Sequence, residues 1–196
     1  MADAPLHPAL MHDQYLFRKK VFKLFGGAFH VYDKDGQVVL YSEQKAFKLK
    51  EDFRIYSDEY MSEELFTIKT PQILDISATY YVQDGPTGQP VGAIRRKGFK
   101  SIIRDEWIFL SNADEEIGTL TETSLASALL SRFINLIPQT YVIRSSTGRD
   151  VAVMRQHFNP FVLKYTMDIT DPEPPIDRRL LLSAGVLLAA MEGRQQ

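Results

Sequence analysis

Arg95-Arg96-Lys97-Gly98-Phe99-Lys100, followed by Arg104, is the densest set of side chains in this 196-residue chain that could recognise another molecule. The chemistry would be electrostatic. Guanidinium and ammonium groups donate charge-assisted hydrogen bonds to phosphate and carboxylate oxygens. Strand alternation sends Arg95 and Lys97 to one face and Arg96 to the other, and a turn at Gly98 brings Lys100 back towards them. The candidate binding set for an anionic headgroup is therefore Arg95, Arg96, Lys97, Lys100 and Arg104, with Phe99 placed to dip into an interface. A second basic run, Arg18-Lys19-Lys20 with Lys23, lies in the first strand pattern. Each run also has the plainer reading of a solvated strand face.

Catalytic patterns are missing. The chain has no Gly-x-Ser-x-Gly elbow, no phosphate-binding glycine loop and no His-Glu-x-x-His. Its four histidines are His7, His12, His30 and His157, and none are spaced four apart as helical metal ligands would be. His30 and His157 lie in strand patterns far apart in sequence and would have to meet in space. Asp33-Lys34-Asp35-Gly36 begins like a calcium loop, but the sixth and twelfth positions are Val38 and Gln44 instead of glycine and glutamate. Asp-Gly there reads as a hairpin turn. There is no cysteine, so no thiol nucleophile. The expectation is a protein without catalytic residues, metal or cofactor.

The elements that carry these residues are mostly strands. A chain of this length with 44% hydrophobic and 24% charged residues suits one globular domain, and a formal net charge of −2 argues against nucleic acid as a partner. Residues 1–13 read as a flexible arm and 14–196 as the domain. No basic start or apolar stretch suggests a secretory signal, so the expected location is cytoplasmic, at most peripheral to a membrane. Strand patterns fall at Tyr15–Phe25, Ala28–Tyr32, Val38–Tyr41, Lys45–Lys50, Phe53–Tyr56, Leu65–Thr70 and Ile73–Val82. They continue at Val91–Lys97, Glu106–Leu110, Ile117–Thr121, Thr140–Arg144, Val151–His157 and Phe161–Ile169. Between them, Ser124–Ile137 places Leu125, Leu129, Phe133, Leu136 and Ile137 on one helical arc, stopped by Pro138.

The C-terminus is different. After the break Asp171-Pro172-Glu173-Pro174-Pro175, with Asp177 as N-cap, Leu180–Met191 is apolar on every face. Such a helix needs a core on all sides, and twelve residues at about 1.5 Å each fall well short of a bilayer. Eight strands enclose a lumen that side chains can fill, whereas about twelve enclose one wide enough for a helix. The small residues Ser183, Ala184, Gly185, Ala189 and Ala190 suit close approach to its walls. The expected fold is mainly β (α+β): a closed barrel of about twelve strands around a buried hydrophobic C-terminal helix, with one extra amphipathic helix. Arg178 and Arg179 stand against the helix dipole, as does Glu192 at the far end. They imply partners on the barrel rim or, failing that, exposure to water.

Asp177–Met191 at the end of a strand-rich chain resembles the tubby C-terminal-like superfamily. Phe29-His30-Val31-Tyr32-Asp33, Gly92-Ala93-Ile94-Arg95-Arg96-Lys97 and Ile117-Gly118-Thr119-Leu120 resemble its phospholipid scramblase and LURP-one-related branch. The resemblance spans about residues 14–194. It implies a twelve-stranded barrel around a central helix, and peripheral binding of an anionic phospholipid membrane or phosphoinositide. The proline-rich and cysteine-rich segments of scramblases are absent. The alternative expectation is a protein-interaction or regulatory module that binds no lipid.

Overall fold

The computed structural model describes residues 5–20, 27–44, 52–71, 78–97, 106–123, 139–157 and 162–192. Within them twelve strands follow one another: β1 Gln14–Lys20, β2 Gly27–Tyr32, β3 Val38–Gln44, β4 Asp52–Tyr56, β5 Glu64–Lys69, β6 Thr79–Asp84, β7 Pro90–Arg96, β8 Glu106–Leu110, β9 Glu116–Glu122, β10 Thr140–Ser145, β11 Asp150–His157 and β12 Val162–Ile169. One α-helix, α1 (Arg178–Glu192), ends the chain. Each strand pairs antiparallel with its sequence neighbour, and β12 closes on β1 from Gln14↔Asp168 to Lys20↔Val162. Closure removes the exposed edges that would otherwise invite aggregation.

Period-two sequence becomes an inner and an outer wall. In β12, Leu163, Tyr165, Met167 and Ile169 are buried, while Val162, Lys164, Thr166 and Asp168 alternate with them as half-buried residues. The β2–β3 turn is the expected hairpin: Asp33 Oδ1 accepts from the amides of Asp35 (3.0 Å) and Gln37 (2.8 Å), and Gly36 takes φ +78°. The strand expected at Lys45–Lys50, the second half of that at Tyr15–Phe25, the start of that at Ile73–Val82 and the amphipathic helix at Ser124–Ile137 lie outside the described residues.

Helix α1 occupies the lumen. Every residue from Leu180 to Ala190 is buried. The helix touches β1 and β12 on one side and β6 and β7 on the other, and β1 and β7 are six places apart in the closed ring. Fifteen residues at about 1.5 Å each give roughly 22 Å, about the length of a seven-residue strand. The approach is close: a Cβ on Gly185 would lie 2.3 Å from Phe17 Cζ of β1, and one on Gly92 of β7 would lie 3.1 Å from Leu180 Cδ1. Ser183 donates to the Arg179 carbonyl at 2.7 Å, which satisfies its hydroxyl in an apolar space. Among the described residues no helix is long and apolar enough to cross a membrane. The outer wall carries Arg54, Arg95, Arg144 and Arg155, all exposed, where a membrane barrel would carry an apolar band.

Both helix ends are chemically closed. At the N-terminus, Asp177 Oδ1 accepts from the Arg179 amide at 2.8 Å, the expected cap. Arg178 and Arg179 have rim partners, and neither is fully exposed to water. Arg178 is 6% exposed and donates to the carbonyl of His12 at 2.7 Å, with Asp13 Oδ1 at 3.4 Å. Arg179 bridges Asp177 Oδ2 (2.7 Å) and Asp84 Oδ1 (2.6 Å) at the end of β6. The dipole disfavours each cation by about 0.3–1 kcal/mol, less than a charge-assisted hydrogen bond contributes. At the other end Lys19 points inward, donates to the Ala190 carbonyl at 3.4 Å and lies 4.9 Å over the Phe29 ring. The Glu192 side chain lies outside the described residues.

The arm expected over residues 1–13 is not free along its second half. Pro8–Leu10 forms a 3-10 turn with Ala9 and Leu10 in the core. Tyr15 fastens it, since its hydroxyl donates to Ala9 O and accepts from the His12 amide, both at 3.1 Å. Burial pushes the Tyr15 hydroxyl up to about 12, so it stays a donor. Two apolar side chains and the carbonyls that Arg178 requires bind this segment down, a long-range effect that local composition conceals.

Leu187 is fully buried in the lumen. Leu187→Asp is expected to abolish cooperative folding, because an unpaired buried carboxylate costs several kcal/mol. A near-normal thermal melt by circular dichroism would disprove the central helix. Asp84 makes a pH prediction. Burial raises its carboxyl, but hydrogen bonds from the Thr87 hydroxyl and amide, together with Arg179, outweigh that and hold it below the ordinary value of 3.8. Its contribution is therefore present above that value and lost as pH falls through the lower folded value. Asp84→Asn should lower stability near neutrality by about 1–3 kcal/mol and flatten the acid limb of a pH-resolved urea titration.

Candidate functional site

Strands β7 and β8 carry the described part of the expected site. Arg95 lies opposite Ile108, and Arg96 opposite Trp107. The alternation is as expected. Arg95 and Lys97 are exposed and Arg96 is half-buried on the inner side, where its guanidinium lies 5.7 Å from the ring of Trp107. Trp107 is buried, and its Nε1 has no hydrogen-bond partner. Lys100, Arg104 and Phe99 lie outside the described residues.

The described cations are already engaged. Lys97 Nζ meets Glu106 Oε1 at 2.6 Å, and Arg95 Nη2 lies 3.9 Å from Asp114 Oδ1. Arg95 Nε also donates to Thr79 Oγ1 at 3.3 Å. The hydrogen bond that the Lys97 ammonium donates to Glu106 holds it above its ordinary value. Both ion pairs are solvent-exposed, where such a pair contributes only about 0–1 kcal/mol. An incoming anion of higher charge can displace the carboxylate. Sequence reasoning missed Glu106 and Trp107. The available signal was the succession of two strand patterns, whose antiparallel pairing sets the start of β8 against the end of β7.

The second basic run splits. Lys19 turns inward to the helix, while Arg18 faces out, directly opposite Lys164 of β12 and His30 of β2. The two strand histidines do not meet. His30 Nε2 lies 2.8 Å from Glu59 Oε1, and His157 Nε2 lies 2.6 Å from Thr166 Oγ1. Lys164 and Arg18 stand between them in the sheet.

The topology gives these groups a common orientation. Odd-numbered strands all run one way, so the C-terminal ends of β1, β7 and β11 share one end of the barrel. Lys19, Arg96, Lys97 and His157 stand there, at the end where α1 finishes. At the opposite end, Asp33, Asp35, Asp58, Glu63, Glu115 and Glu173 stand in the connections between strands and before α1. Among the described residues the barrel is strongly acidic where α1 begins, whereas the end where α1 finishes gathers these cations beside Asp52, Glu106 and Glu122.

A family model described as LURP-one-related matches residues 38–189, from the start of β3 to near the end of α1. Comparison with curated proteins and with solved structures gave no match.

Proposed function

The chain belongs to the LURP-one-related family, within the tubby-like superfamily, and from that premise we propose that it is a non-enzymatic barrel binding anionic phospholipid or phosphoinositide peripherally. The observation that carries this reading is the charge polarity along the barrel axis. An anionic surface repels the acidic end, so the molecule docks with the end of α1 towards the membrane. The β7 edge, with Arg95, Arg96 and Lys97, meets the headgroups, and Lys100 and Arg104 add to the positive charge of that connection. Each cation near such a surface contributes roughly 1 kcal/mol, which exceeds what one exposed carboxylate offers Lys97. The filled lumen argues against a carrier that holds a ligand inside the barrel. The same filling argues against lipid passing through the barrel, so scrambling does not follow from this reading. The protein works at the membrane from the cytoplasmic side.

Liposome co-sedimentation tests this. Binding to vesicles containing phosphatidylserine or phosphoinositide should be strong at low salt and weaken as salt rises, because exposed charges are screened beyond about 8 Å at physiological ionic strength. Reversing Arg95 and Lys97 to Glu should abolish binding to phosphatidylserine vesicles while stability stays within about 0.5 kcal/mol. Wild-type protein that ignores anionic vesicles at low salt would overturn the proposal in favour of a protein-interaction module. Glu106→Gln should move the other way, releasing Lys97 and strengthening vesicle binding. Unchanged binding in that variant would remove Lys97 from the contact.

A further inference from the structure

The outer wall neutralises most of its cations. Arg54 pairs with Glu64, Arg95 with Asp114, Lys97 with Glu106, Arg144 with Asp150 and Arg155 with Asp168. Arg18 and Lys164 break the pattern. They are Cα partners across β1 and β12, on the outer face, both half-buried. Like charges directly opposite on antiparallel strands repel, with Cβ atoms about 4.5–5.5 Å apart. Among the described residues neither carries an acidic partner, and Arg18 Nε is buried with no hydrogen-bond partner at all. A repulsive pair with an unused guanidinium donor is a cost to the fold that a bound anion removes.

The sheet extends this pair into a row. Lys164 faces His157 of β11, and Arg18 faces His30 of β2. The row therefore reads His157, Lys164, Arg18, His30 across four adjacent strands. Glu59, from the β4–β5 connection, meets the row at His30. We propose that Arg18 and Lys164 form a phosphate-binding site on the outer wall, across the barrel from the β7 edge and independent of it. A guanidinium fork beside an ammonium suits a phosphomonoester, whose several oxygens accept from both. A lipid headgroup and a soluble phosphorylated molecule offer the same chemistry.

Calorimetric titration of the full chain with inorganic phosphate and with inositol 1,4,5-trisphosphate tests this, alongside sedimentation with vesicles containing phosphatidylinositol 4,5-bisphosphate. Wild-type protein should bind the trisphosphate or those vesicles at low salt and release them as salt rises. Lys164→Glu should weaken binding by at least about tenfold, the loss of one charge-assisted hydrogen bond. Its melting temperature should hold or rise, because the new carboxylate pairs with Arg18. That opposition of signs separates a binding role from a structural one. Arg18→Gln should lose binding similarly without charge reversal. Binding of vesicles alone assigns the site to a lipid headgroup, and equal binding of the soluble trisphosphate assigns it to a free anion; both support it. No binding of any probe by wild type at low salt would overturn the site, as would wild-type affinity in both variants. The variant with Arg95 and Lys97 reversed separates this site from the β7 reading. It should keep trisphosphate binding, and if it loses the trisphosphate while Lys164→Glu keeps it, the anion belongs to β7 and this site falls.

Discussion

A ring of twelve strands encloses more space than its own side chains can fill, and the fold depends on a single helix to occupy it. Helix α1 has no polar face to turn to water, so it is stable only with walls on every side. The walls, in turn, would surround a void without it. Each supplies the other's missing contacts, which makes the core one cooperative unit in which the last residues of the chain touch the first strand. The tight seating of Gly185 against Phe17 is where this mutual requirement is felt most directly.

A helix threaded through a barrel must also satisfy its two polar ends at the two mouths. Asp177, Asp84 and the carbonyl of His12 receive the N-terminal end with its two arginines, and Lys19 receives the C-terminal carbonyls. These contacts fix which way the helix runs. They also explain why the segment before β1 is held down: Arg178 takes its carbonyls as ligands for a buried charge. A lysine from a charge run and an aspartate from a turn become the plugs of the lumen.

With the interior closed, function falls to the outer wall and the rims. Most outer cations are matched by acids across the strands, which leaves little net field from the wall itself. The connections at the start of α1 are acidic and the strand ends at its finish mix cations with acids, so what remains is an axial polarity. On that background an exposed cation with a weak partner, such as Lys97, differs from a cation pair with none, such as Arg18 and Lys164. The first can be recruited by a strongly charged surface. The second is a local imbalance in the fold.

Periodicity is local, so the strands, the Asp33–Gly36 hairpin, the apolar helix and its cap at Asp177 were legible in residues only a few positions apart. The filled barrel followed from counting those strands against the one helix that needed burial. The basic segment at Arg95–Lys97 and its alternation were legible for the same reason. The partners were not. Arg179 with Asp84, Lys19 with Ala190, and Arg18 with Lys164 join residues 95, 171 and 146 positions apart. Which residues face each other across a closed sheet depends on register and closure, and these are set by the whole core at once. Sequence alone therefore determined which elements form and what fills the barrel, whereas the tertiary structure decided which charges are neutralised and which are left to meet a ligand.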